Sequence, residues 1–142
     1  MPTGIPKQIA RGTPLFYMVD PDELEGLDDW AEWLDALRNG PCRIEEAEGR
    51  LHLVEIRQLV GRLSGGIRIE VYPDEHAPPH FHVRAPSLNA SLAIEDCRVL
   101  KGTVSGADLR TIRYWHAHAK PDLIRCWNET RPGDCTVGCF RG

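Results

Sequence analysis

The chain lacks any apolar run long enough to cross a membrane. Its longest such run, Leu15–Val19, falls far short of the ~20 residues that a spanning helix needs. The N-terminal residues contain one early lysine and no long apolar stretch, so we expect no secretory signal. A hydrophobic content of 42% and a charged content of 27% are typical of a globular protein. These absences predict a cytoplasmic protein.

Cysteine is scarce and odd in number, which argues against a disulfide framework. Such frameworks favour an even count and a secreted context, whereas this chain has five cysteines. A metal site formed by Cys126, Cys135 and Cys139 is an alternative interpretation, but only the last two are closely spaced. Zinc sites usually have two close cysteine pairs, so the spacing favours free thiols.

The sequence also lacks a strong excess of basic charge. The formal net charge is −4 for 142 residues, and residues 20–38 alone hold eight acidic residues against one arginine. The rest of the chain is therefore slightly basic. This distribution excludes a strongly basic nucleic-acid footprint but leaves room for a local basic patch.

An acidic amphipathic helix is predicted at about residues 21–38, after a loose segment over residues 1–14. Asp20 suits an N-cap and Pro21 a first helical position. One apolar face follows from helical spacing: Leu24, Leu27, Trp30, Leu34 and Leu37. The acidic opposite face is interpreted as solvated in preference to a docking surface for a basic partner.

The middle of the chain predicts a hairpin between 42–46 and 51–55, with a helical alternative over 54–63. Beyond residue 66, apolar and polar residues alternate as in strands with one buried face. The pattern places Phe81 and Val83 inward, and His80, His82 and Arg84 outward. A third strand follows near 90–94 and an edge strand within 97–104.

Two closing helices are predicted, one capped by Ser105 and one starting at Pro121. Trp30, Trp33, Trp115 and Trp127 are expected in the core. The predicted fold class is α+β, with a small antiparallel sheet covered on one face by helices. We divide the chain into an N-terminal extension (1–60), a histidine-loop α+β domain (61–133) and a flexible tail (134–142).

The chemically richest stretch is residues 74–83, which holds His76, His80 and His82. His80 and His82 share one face of a strand, with Cα atoms about 6.6 Å apart. The prolines at 78 and 79 stiffen the loop. A turn in which the histidines bond the backbone is the most ordinary interpretation.

Three functional interpretations stay open beside that turn. His76, His80 and His82 could ligate zinc or another divalent metal. The same histidines, with Arg84 steadying a phosphate, could act as acid–base groups in metal-free RNA cleavage. Arg68, Tyr72 and Glu75 could instead bind a partner or a nucleic acid without chemistry.

The segment 66–83, and above all "PPHFHV" at 78–83, resembles the bacterial domain-of-unknown-function family 4160. The resemblance extends over about residues 60–130, through the "VLKG" of 99–102. It implies a small cytoplasmic protein paired with a second small protein, as in toxin–antitoxin modules, and no established reaction. Glu75 stands where the family usually has aspartate, and the extension of about 60 residues is unusual for it.

The leading hypothesis is a toxin–antitoxin-like accessory protein that binds a partner protein or nucleic acid through a histidine-rich strand face. The alternative is a metal-dependent or ribonuclease-like enzyme that uses His76, His80 and His82. Both depend on imidazoles that face water.

Overall fold

A computed structural model describes residues 4–56, 66–72 and 78–130. The N-terminal half contains α1 (Lys7–Ala10), single 3-10 turns at Pro14–Met18 and Pro21–Glu23, α2 (Gly26–Asn39), β1 (Cys42–Ala47) and β2 (Arg50–Glu55). The C-terminal half contains β3 (Arg68–Glu70), β4 (His80–Ala85), β5 (Leu88–Ala93), β6 (Val99–Gly102) and α3 (Gly106–Thr130).

The strands form two antiparallel sheets, which confirms the α+β class. One sheet is the β1–β2 hairpin and the other has the order β3-β4-β5-β6. The hairpin prediction is therefore confirmed. Its two-residue loop places Glu48 and Gly49 at φ of 56° and 73°, the left-handed conformation that tight hairpin turns require. The helical alternative over 54–63 falls mostly outside the described residues.

The N-terminal and C-terminal halves share one hydrophobic core. All four tryptophans are buried, as predicted. The Trp115 indole N–H donates to the Trp30 carbonyl at 2.8 Å, and the Trp30 indole donates to Asp122 at 2.6 Å. These contacts join α2 to α3. The proposed boundary at residue 60 and the tail at 134–142 lie outside the described residues.

The predicted helix over 21–38 begins later than expected. The Asp20 carboxylate caps the amide of Asp22 at 3.0 Å, but this cap serves only the Pro21–Glu23 turn. The α-helix starts at Gly26, whose φ of 78° redirects the chain in a conformation that glycine adopts without strain. Asp20 and Pro21 therefore do start a helical element, but it is the short 3-10 turn and not the α-helix.

The expectation of a solvated acidic face is wrong for two carboxylates. Asp29 and Asp35 are buried, at 6% and 4% exposure. Asp29 is held by Lys7 and Arg11 from the segment that was expected to be loose. That segment forms α1 because these contacts fix it against α2.

The two closing helices are one helix, α3, with Pro121 inside it. Proline removes a backbone donor, but Ala119 and Leu123 on either side are fully buried, so packing holds the helix across the interruption. The predicted cap is confirmed, since Ser105 Oγ accepts the amide of Asp108 at 3.1 Å.

Burial raises the pKa of both the Cys42 and Cys97 thiols to about 12, so neither is a reactive thiolate. Cys126 is half-buried and free. Cys135 and Cys139 lie outside the described residues, so the cysteine metal site stays an untested interpretation. Over 4–56, 66–72 and 78–130, no helix is both long and apolar enough to span a membrane.

Candidate functional site on the outer face of the sheet

The four-stranded sheet buries one face and turns the other towards solvent. Phe81, Val83 and Leu92 are fully buried on the inner side, where Phe81 packs against Trp115 of α3. Because side chains alternate along a strand, their neighbours lie on the opposite side. We call this side the outer face, and its members are Arg68, Glu70, Tyr72, His82, Arg84, Asn89, Ser91 and Lys101.

Strand register aligns the outer-face side chains in two rows across the sheet. Residues directly opposite each other in antiparallel strands have Cα atoms about 4.5–5.5 Å apart. The first row is Glu70, His82, Ser91 and Lys101, and the second is Arg68, Arg84 and Asn89. Residues from four strands therefore form one continuous polar surface.

The second row opposes two like charges, Arg68 and Arg84. Like charges directly opposite each other are destabilising, and the Glu70 carboxylate offsets part of the repulsion. Glu70 Oε1 accepts from Tyr72 at 2.5 Å and from Arg84 Nε at 2.6 Å. These bonds, from Tyr72 first and then Arg84, lower the pKa of Glu70. With Lys101, three cations face one carboxylate among the described residues of the outer face, so this part of the surface is positive.

His82 lies at the centre of this surface. Its ring is half-buried, and its Nδ1 is 3.0 Å from Ser91 Oγ, a hydrogen bond whose donor depends on the ring tautomer. The Tyr72 ring is 4.9 Å away between centroids. The ring is therefore held in place by Ser91 of β5 on one side and by Tyr72, which follows β3, on the other.

The prediction that His80 faces water is wrong. His80 is only 4% exposed, since its ring lies 5.7 Å from that of Trp127 of α3. Its Nδ1 is 2.8 Å from the Pro78 carbonyl oxygen; because a carbonyl only accepts, Nδ1 carries the proton. His80 therefore has the backbone-bonded arrangement of a structural turn. It still lies beside His82, at 5.1 Å between ring centroids.

A depression of about 260 Å³ opens on the outer face over β4, β5 and β6. It is lined by His82, Arg84, Asn89, Ala90, Ser91, Lys101 and Gly102. Gly102 has a φ of 93°, and a Cβ there would collide with the Asn89 carbonyl oxygen. Only glycine lets β6 approach β5 this closely, which shapes the floor of the depression.

Glu75 and His76 lie outside the described residues, so the structure describes only two of the three histidines of the predicted metal site. Within the described ranges no group of three or more His, Cys, Asp or Glu side chains could hold a metal ion. Of the predicted site residues, the structure brings together Arg68, Tyr72, His82 and Arg84.

Sequence reasoning missed Asn89, Ser91 and Lys101 as members of the site. Asn89 and Ser91 alternate with buried Leu88, Ala90 and Leu92, and this period-two signal could have placed them outward. Their position beside His82 and Arg84 depends on strand register, for which the sequence has no comparable signal.

The comparisons with known proteins support the family resemblance. Residues 66–128 match the family model described as Domain of unknown function (DUF4160), which confirms the resemblance expected from the sequence. The matched segment includes β3–β6 and nearly all of α3, and it is somewhat less than half of the chain. No curated protein and no solved structure matches the chain.

Proposed function

We propose that the protein binds single-stranded nucleic acid through the outer face of its sheet. The observation that carries the proposal is the in-register opposition of Arg68 and Arg84, with Lys101 across the depression that Arg84 lines. Two arginines facing each other are stabilised when an anion lies between them. A guanidinium presents paired donors that match a phosphate.

The neutral side chains of the outer face fit the same ligand. Asn89 and Ser91 belong to the residue types that hydrogen-bond phosphates and sugars. Tyr72 and His82 offer rings of the kind on which unpaired bases stack. The net charge of −4 does not oppose this, because the acidic segment over residues 20–38 lies in the Pro21–Glu23 turn, in α2 and beside them, and contributes no residue to the outer face.

Fluorescence anisotropy with a labelled oligouridylate at low salt tests the proposal. We expect saturable binding, which Arg68→Gln and Arg84→Gln each weaken about fivefold, or about 1 kcal/mol. Arg43→Gln is the matched control, since Arg43 is exposed and ion-paired on the separate hairpin sheet. Absence of binding, or equal loss in the control, would contradict the proposal; oligoglutamate in place of RNA separates a general polyanion site from a nucleic-acid site.

A second candidate function is ribonuclease-like cleavage, with or without a divalent metal. The observation that favours it is the hydrogen bond between His82 and Ser91 next to Arg84 and Lys101, which places an imidazole beside groups suited to a phosphate. RNA cut by the wild type and left intact by His82→Ala would support it. RNA left intact by both proteins would contradict the cleavage function.

We also propose that the protein acts in the cytoplasm beside a small protein partner, in a toxin–antitoxin-like pair. This step rests on the family resemblance of residues 66–128 and on the buried free thiols of Cys42 and Cys97, which suit a reducing compartment. Induced expression with and without the neighbouring gene is the test. Unchanged growth in both cases would contradict the toxin–antitoxin role.

A further inference from the structure

A second concave site lies where the N-terminal extension meets α3, apart from the outer face. This pocket of about 480 Å³ has the size of a typical small-ligand site. The extension contributes Gly4, residues 17–22, Trp33 of α2 and Leu53 of β2, and α3 contributes Tyr114 and His118. Nothing proposed for the outer face uses these residues.

Three rings in this pocket contact one another at steep angles. His118 lies edge-on to Trp33, with centroids 5.4 Å apart and an interplanar angle of 82°. Tyr114 is 5.5 Å from His118 and 6.3 Å from Trp33. Trp33 is buried at 2% exposure, so the rings of Tyr114 and His118 pack on it from the solvent side. Partial burial lowers the pKa of His118, against the opposing effect of the nearby Asp22 carboxylate.

The rim of the pocket carries two carboxylates, Asp20 and Asp22. Within the described part of the chain, the Asp20 carboxylate accepts the amide of Asp22, and the Asp22 carboxylate, which lies close enough to raise the pKa of His118, has no hydrogen bond or ion pair. None of the described lining residues is a lysine or arginine. The pocket therefore combines aromatic surface with negative charge that the described residues leave uncompensated.

We propose that this pocket binds a guanidinium group, as carried by arginine. A cation is attracted to aromatic surface and to the two carboxylates together. The guanidinium suits this pocket better than an ammonium does, because its planar fork can donate to neighbouring carboxylates while one face stacks on a ring. Asp22 supplies the charge contact, and the rings of Tyr114 and His118 supply the stacking surface.

An NMR titration of the full chain with N-acetyl-arginine amide tests this assignment. We expect saturable shifts at the amides of Tyr114 and His118. The neutral analogue N-acetyl-citrulline amide should cause none. Asp22→Asn should weaken binding about tenfold, as the loss of a charge-assisted hydrogen bond predicts, and His118→Ala about threefold.

Glu23→Gln is the matched control for Asp22→Asn. Glu23 is exposed, carries the same charge and is adjacent in sequence, but it does not line the pocket. Binding equal to wild type in Asp22→Asn, or equal weakening in Glu23→Gln, would overturn the proposal, as would equal binding of the citrulline compound. Free arginine distinguishes the source: tighter binding of the capped form indicates an arginine of a polypeptide, and tighter binding of the free form a small molecule.

Discussion

Replacement of Asp29 by asparagine should detach the N-terminal segment from α2. The buried Asp29 carboxylate accepts from Arg11 Nη1 at 2.6 Å, from Lys7 Nζ at 3.0 Å and from the Glu25 amide at 3.0 Å. Asparagine keeps one acceptor oxygen but loses the charge. The hydrogen bond from the Glu25 amide at the start of the helix is worth about 1 kcal/mol. The two ion pairs contribute about 0.5 kcal/mol each, since Lys7 and Arg11 keep contact with water.

The expected loss for Asp29→Asn is therefore about 2 kcal/mol of unfolding free energy, or about 6–8 °C in Tm. Urea unfolding at neutral pH measures it. Asp28→Asn is the control, because Asp28 is an exposed neighbour in the same helical turn and should change stability by less than ~0.5 kcal/mol. If both variants are equally stable, the buried ion-pair account of this segment is wrong.

The same carboxylate should make stability depend on acid. Burial opposes ionisation of Asp29, but the hydrogen bonds from Arg11, the Glu25 amide and Lys7 outweigh it, so its pKa is lowered. The unfolded chain then binds the proton more readily than the folded one. The advantage of wild type over Asp29→Asn should be complete above the ordinary aspartate pKa and disappear as pH falls through the lowered value. An advantage that persists unchanged at low pH would contradict this.

Four further variants, in three comparisons, can be tested by denaturant unfolding. His80→Ala should cost about 2 kcal/mol, since it removes a buried ring and its backbone bond, whereas His82→Ala should cost less; equal costs would contradict their different burial. Burial lowers the pKa of His116, so wild type should lose stability relative to His116→Gln as pH falls below the ordinary histidine pKa, by up to about 1.4 kcal/mol per pH unit; parallel pH profiles would contradict it. Gly102→Ala should destabilise by more than ~1 kcal/mol, because its φ of 93° and the neighbouring carbonyl leave no room for a Cβ; a neutral effect would be the refuting result.

Local patterns in the sequence predicted most of the sheet and the hairpin. Alternation along 67–72 and 80–84 was sufficient to place Arg68, Tyr72, His82 and Arg84 on one side, because side-chain direction in a strand depends only on residue parity. Parity does not decide burial, however. His80 has the predicted direction but is covered by Trp127, a contact across 47 positions of sequence.

The errors in the helices have the same origin. Asp20 and Pro21 are start signals for a 3-10 turn as much as for an α-helix, and the continuation depends on the left-handed Gly26. Pro121 ends many helices, but here burial on both sides maintains one. Asp29 looked solvated because its partners, Lys7 and Arg11, come from a segment with no strong pattern of its own. Long-range packing decided each of these cases.

The salt dependence of oligouridylate binding tests the central claim most directly. If Arg68, Arg84 and Lys101 each contact a phosphate, the logarithm of the association constant should fall with the logarithm of salt concentration with a slope of about −2. Replacement of any one of the three by glutamine should reduce that slope by about 0.7. Absence of binding, or a slope unchanged in all three variants, would contradict the assignment of the outer face as a nucleic-acid site.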